Sequence, residues 1–175
     1  MKTISLLSLV ALLFALPLHA QDKSAGEHVD DTWLHTKVKT KLATSQGASI
    51  NIEVYKGEVQ LAGFTADREA KERLPDAASR VSGVEKVYNQ IIVVEPGRSA
   101  GERLDDGVLV TAVEANLADD SAGLAAAINT EANRGVVLLS GFIDSEDMRA
   151  KVLEIVRGVD GVKDIIDGMN LKNDA

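Results

Sequence analysis

Three histidines, no cysteine and a surplus of carboxylates are the raw material for chemistry in this 175-residue chain. His19 falls in an apolar leader, while His28 and His35 fall in a polar stretch and at the start of a helix, without a third ligand nearby. A metal site needs more than that. A thiol nucleophile is impossible, no GxGxxG or GxxxxGK loop follows a strand, and no GxSxG elbow presents a serine. Asp105-Asp106 and Asp119-Asp120 lack the DxDxDG spacing of a calcium loop and read as caps and loop charges. The other carboxylates lie on helix faces and loops, where solvated charge is the default. The chain reads as a protein without catalysis, cofactor or metal.

One constellation remains. Trp33, Lys37 and Lys41 recur at i, i+4 and i+8 and form a stripe along one helix. Tryptophan favours a membrane interface, and lysines can meet lipid phosphates while their stems lie on apolar surface. These three are the lipid-contact candidates. The alternative is that Trp33 packs at the rim of its own core and the lysines are simply solvated. A formal net charge of −8 argues against non-specific nucleic-acid binding and weakens any general attraction to anionic lipid, so only a local patch could act.

The elements that position this stripe come from a repeat. GEVQLAGF (57–64) returns as GVVLLSGF (135–142) with five of eight residues identical, and VSGV (81–84) returns as VDGV (159–162). The offset is 78 residues for both blocks, which implies two copies of one small domain. In the first copy, Ile50 to Tyr55 and Val59 to Gly63 alternate around Lys56-Gly57, which predicts a hairpin with Gly57 at positive φ. A helix and a third apolar run ending in Ile91-Ile92-Val93-Val94 follow.

A helix precedes each hairpin. The first begins at Asp30 or Asp31 with a buried stripe of Leu34, Val38 and Leu42; the second begins at Asp105-Asp106 with Leu109, Val113 and Leu117. That offset is 75, so the second copy carries three extra residues within 118–127, a surface loop by composition. The later helices start after Asp67 and Ser145, with apolar faces Ala70, Leu74, Ala77, Val81 and Met148, Val152, Ile155, Val159. Pro75 stands where the second copy has Leu153, which predicts a kink or break and a weaker first module.

The organisation expected is a signal peptide over 1–20, a loose tail over 21–29, a first domain over 30–95, a linker over 96–102 and a second domain over 103–172. The leader's apolar run is too short to span a bilayer comfortably, and without cysteine no acyl anchor is possible. The mature protein is therefore expected to be soluble and exported. Each copy is small enough that a single core is marginal and no disulfide helps, so the copies should lean on each other or on a partner. The outward positions of the second hairpin strand, Val136 and Leu138, are apolar where the first copy has Glu58 and Gln60. Either the other copy or an external partner covers them, which makes Val136 and Leu138 the partner-contact candidates.

With these residues placed, the chain resembles the BON family, whose pattern runs D-x-W-[IL]-x-x-K-V-K-x-x-L, then G-x-V-x-L-x-G-x-V, then G-V-x-x-V-x-N. The first copy has Asp31, Trp33, Leu34, Lys37, Val38, Lys39, Leu42, Gly57, Val59, Leu61, Gly63, Gly83, Val84, Val87 and Asn89. The second has Thr111, Val113, Leu117, Gly135, Val137, Leu139, Gly141, Gly161, Val162 and Ile165, but lacks K-V-K and has Asp167 for the final asparagine. The resemblance implies an α+β chain of two tandem αββαβ domains, each a three-stranded mixed sheet with two helices on one face. It also implies a non-enzymatic, periplasmic role in osmotic and envelope stress, with attachment to phospholipid membranes and, in some members, chaperoning of exported proteins. Two readings follow: a membrane-surface module acting through the Trp33 stripe, or a chaperone-like protein that holds exported or outer-membrane clients.

Overall fold

The computed structural model describes residues 31–43, 50–120 and 123–172; the expected signal peptide and the tail over 21–29 lie outside the described residues. Two αββαβ units follow one another. The first is α1 (Asp31–Ala43), β1 (Asn51–Tyr55), β2 (Glu58–Thr65), α2 (Arg68–Ser79) and β3 (Lys86–Val93). The second is α3 (Ala100–Ala118), a short 3-10 turn (Leu124–Ala126), β4 (Asn129–Asn133), β5 (Val136–Ile143), α4 (Glu146–Arg157) and β6 (Asp164–Leu171). In each sheet the long second strand is central: β2 pairs antiparallel with β1 and parallel with β3, and β5 does the same with β4 and β6. The helical crossover before β3 and β6 makes that parallel pairing possible.

Each sheet has one face on its own helices. Val59 and Leu61 of β2 pack with Leu34, Val38 and Leu42 of α1 and Leu74 of α2. Val137, Leu139 and Ile143 of β5 pack with Leu109, Val113, Leu117, Val152 and Val156. The expected first-helix stripes are the buried ones. In the later helices, Ala78 and Val156 are fully buried in place of the expected Ala77 and Ile155, which are half-buried. The stretch over 118–127 is not all surface: Leu124 within it, and Ile128 just after it, plug the second core.

Both hairpin turns put two consecutive residues at positive φ, Lys56 (46°) with Gly57 (81°) and Arg134 (53°) with Gly135 (84°), the geometry of a type I′ turn. The non-glycine member is strained, and a helix carboxylate holds it there. Asp31 accepts from Lys56 N (2.8 Å) and Gly57 N (3.3 Å); Asp106 accepts from Arg134 N and Gly135 N, both at 3.0 Å. Burial would raise the Asp106 carboxyl, but those two N–H groups and the Arg98 guanidinium outweigh it and leave it below its ordinary value.

Two expectations are corrected. The helix of the second unit starts at Ala100, not at Asp105-Asp106, so residues 100–102 of the expected linker are helical. The cause is a capping box: Ser99 Oγ accepts from Glu102 N (3.1 Å), and Glu102 returns to Ser99 N (2.7 Å). That backbone bond, aided by the Ser99 hydroxyl and Arg134, lowers the Glu102 carboxyl to about 2.

The second correction concerns the expected break at Pro75, through which α2 runs as one helix from Arg68 to Ser79. Proline removes the N–H that would satisfy the carbonyl of Lys71. Asn89 of β3 supplies the missing donor, Nδ2 to Lys71 O at 2.9 Å, while its Oδ1 accepts from Ile91 N at 3.1 Å. The second unit has Leu153 with its own N–H at the matching place, so the carbonyl needs no rescue. Asp167 there binds Arg149 (2.8 and 2.9 Å) and keeps the turn-like bond from Met169 N. The two units thus use this position differently: Asn89 serves a carbonyl beside Pro75, and Asp167 holds Arg149. Asn89→Ala is expected to cost about 0.5–1.5 kcal/mol in urea unfolding, because it removes one bond to an exposed carbonyl and one to a half-buried N–H. Adding Pro75→Leu should recover part of that loss; equal losses in both backgrounds would refute the coupling.

Candidate functional site

The Trp33 stripe runs beside the buried Leu34, Val38 and Leu42 of α1, about 100° around the helix, with Trp33 and Lys41 exposed and Lys37 half-buried. Trp33 is 55% exposed, an unusual state for the one tryptophan of a chain with few aromatics. Lys37 Nζ stands 3.8 Å from the centre of its ring, within cation–π range, and donates to Ser82 O at 2.9 Å. The lysine therefore ties α1 to the turn before β3 and holds the indole by one face. Lys41 is exposed one turn further on. The hydroxyls of Thr36 and Thr40 turn inward to the carbonyls of Thr32 and Thr36, leaving the aromatic and the ammonium groups as the prominent features of that face.

On α3 the positions matching Trp33 and Lys37 are apolar, Val108 and Ala112, and Lys41 is matched by Asn116. Val108, at the place of Trp33, is 63% exposed, and Leu104 one turn earlier is 69% exposed. An open concavity of about 420 Å³ beside them is lined by Val108, Ala112, Arg134 and Lys163, among others. Leu104 went unnoticed in the sequence because its helix was expected to begin after it.

The candidates Val136 and Leu138 are placed differently. Leu138 is 1% exposed, and the face it shares with Ser140 and Phe142 is covered by the first unit. Val136 is half-buried at the start of β5, opposite Asp164. Leu138 is thus closed to an outside partner as long as the units stay together.

What closes it is a set of residues that sequence reasoning passed over. Gln60 of β2 is fully buried; its Nε2 donates to Gly168 O (2.5 Å), and its Oε1 accepts from Gly141 N (2.6 Å). Asn51 Nδ2 donates to Glu131 Oε1, and Asn129 Nδ2 donates to Glu53 Oε1, both at 2.8 Å. Phe142 packs between Tyr55 (5.7 Å) and Tyr88 (6.0 Å). Burial raises the Glu131 carboxyl above its ordinary value, against the Phe64 N–H and Arg98, which pull it down. The signal was available: Asn51-Ile52-Glu53 recurs as Asn129-Thr130-Glu131 at the same offset of 78.

Among the described residues, no cluster of three or more histidines or carboxylates could hold a metal ion, and no helix is long and apolar enough to cross a membrane.

Comparison with known proteins agrees with this architecture. The chain is 31% identical to the 21 kDa hemolysin of Actinobacillus pleuropneumoniae, over 82% of this chain and 77% of that protein. It is 28% identical to the outer membrane lipoprotein DolP of Haemophilus influenzae, over 82% and 76%. To osmotically-inducible protein Y of Escherichia coli K12 it is 26% identical, over 84% and 75%. The BON domain model matches residues 30–95 and again 105–173, and the chain belongs to the BON-domain family.

Proposed function

We propose that this is a non-enzymatic periplasmic protein that binds phospholipid membrane surfaces as part of protection against osmotic and envelope stress. The observation that carries the reading is the exposed indole of Trp33 with the Lys37 ammonium against its face and Lys41 one turn beyond. An aromatic at the depth of the head groups beside cations is a workable contact with lipid phosphate, even on an acidic body. Relatives named for osmotic induction and for the outer membrane support the setting.

The test is co-sedimentation of the chain from Gln21 with anionic and with neutral vesicles, at low and high salt. Pelleting should occur with anionic vesicles and fall as salt rises. Lys37→Glu with Lys41→Glu should weaken it by about tenfold or more, since each lysine near such a surface contributes about 1 kcal/mol. Trp33→Ala should weaken binding at both salt concentrations. No pelleting under any condition would end this reading.

The alternative reading, a chaperone-like protein for exported or outer-membrane clients, is favoured by the apolar Leu104 and Val108 on the outside of α3. A charge at Leu138 would disturb the contact between the two units and so report nothing about clients. Val108→Asp is the suitable variant: suppressed client aggregation that is lost with it and indifferent to Trp33→Ala would favour the alternative.

A further inference from the structure

The contact between the two units obeys a two-fold rule. Asn51 corresponds to Asn129 and Glu53 to Glu131, and each asparagine donates to the glutamate of the other unit. Such reciprocity, residue i meeting j while j′ meets i′, is the mark of an isologous interface, the kind that joins two separate molecules. Little covalent structure binds the halves besides. The last backbone bond to the first unit is Val94 N to Thr65 O, and Arg98 already belongs to the second through Asp106 (2.8 Å) and Ala132 O (3.2 Å). Between them, Glu95, Pro96 and Gly97 are exposed, and a Cβ added at Gly97 would meet nothing within 4 Å.

We propose that this interface is exchangeable: two copies of the chain open at Glu95–Gly97 and pair the first unit of each with the second unit of the other. Every contact of the closed chain is then remade between chains, because the interface records only which faces meet and not which chain carries them. Gln60 keeps the exchange from becoming like-with-like. Its two polar atoms find backbone partners on the second unit, whereas the equivalent position there is Leu138. Pairing two second units would leave Gly141 N without its glutamine. The partner is therefore a second copy of this chain, joined in one register.

The chain has no cysteine, so any disulfide is a designed one. Chains carrying only Asn51→Cys are refolded at high concentration together with chains carrying only Glu131→Cys, then oxidised. A disulfide-linked species of twice the chain mass is expected. A parallel mixture of Asn129→Cys with Glu131→Cys chains should give none, because both positions belong to the second unit. No linkage in the first mixture, or equal linkage in both, overturns the proposal. Each substitution removes one reciprocal pair, so the unsubstituted interface is tested by deleting Pro96 and Gly97. Removing two residues takes up to about 7 Å from the reach of the connection between Val94 and Arg98, which disfavours the closed form, and light scattering should find the deleted chain dimeric. A folded, monomeric deletion variant would also overturn the proposal.

Discussion

Gln60→Met is expected to destabilise the protein by about 2–4 kcal/mol and to split one unfolding transition into two. Methionine keeps the length and the apolar part of glutamine and can fill the same space, so the variant removes little but the two polar atoms. The Gly141 N–H, buried at the contact, loses its acceptor, and Gly168 O loses a donor. A buried donor stranded in this way costs about 1–3 kcal/mol, and each hydrogen bond contributes about 1 kcal/mol net. Both lost bonds cross from one unit to the other, so the loss falls on the coupling between units and leaves the two helix-packed cores intact. Urea unfolding followed by circular dichroism and by Trp33 fluorescence measures this, because the tryptophan reports on the first unit alone. Coincident transitions and a change under about 0.5 kcal/mol would show that Gln60 merely fits its site.

The physical reason Gln60 was hard to read is that its partners lie 81 and 108 residues away and are backbone groups. Periodicity showed that Gln60 and Leu138 face away from the helices, but a period of two cannot tell a solvated face from one covered by another sheet. The apolar run through β5 demanded a cover, and the first unit supplies it. On the other side the same demand was hidden, since Asn51, Glu53 and Gln60 look like ordinary solvent-facing residues of a half-buried strand. Pro75 shows the same limit. Its cost to α2 is local and visible, whereas its remedy, Asn89, arrives from β3 and is invisible to any local window. The start of α3 was legible, because Ser99-x-x-Glu102 is a capping box, but the glycines and serine around it suggested a linker. For the Trp33 stripe, sequence supplied the spacing, and the structure adds the exposed indole and the lysine held against it.

Gly141→Ala is expected to be strongly destabilising although it adds one methyl group. Gly141 has φ of 130°, a conformation that residues with a Cβ rarely adopt, and its added Cβ would fall 2.1 Å from the carbonyl oxygen of Ala127. That oxygen belongs to backbone leading into β4, so no side chain can swing aside to make room. Forced φ costs about 1–3 kcal/mol, and overpacking against fixed atoms adds about 1–3 kcal/mol, so a loss of roughly 3–5 kcal/mol is expected. The displaced stretch carries Ile128 into the second core and Asn129 to Glu53, and Gly141 N itself holds Gln60. One methyl group therefore strikes a core, a reciprocal pair and the central glutamine together. Gly107→Ala is the matched control: no atom lies within 4 Å of its added Cβ on exposed α3, and alanine should stabilise that helix by about 0.5–1 kcal/mol. Opposite signs in urea unfolding would trace the damage to the approach of Ala127 to Gly141. A cost below about 1 kcal/mol for Gly141→Ala would mean that this approach relaxes readily and that the entry to β4 does not fix the position of the second unit.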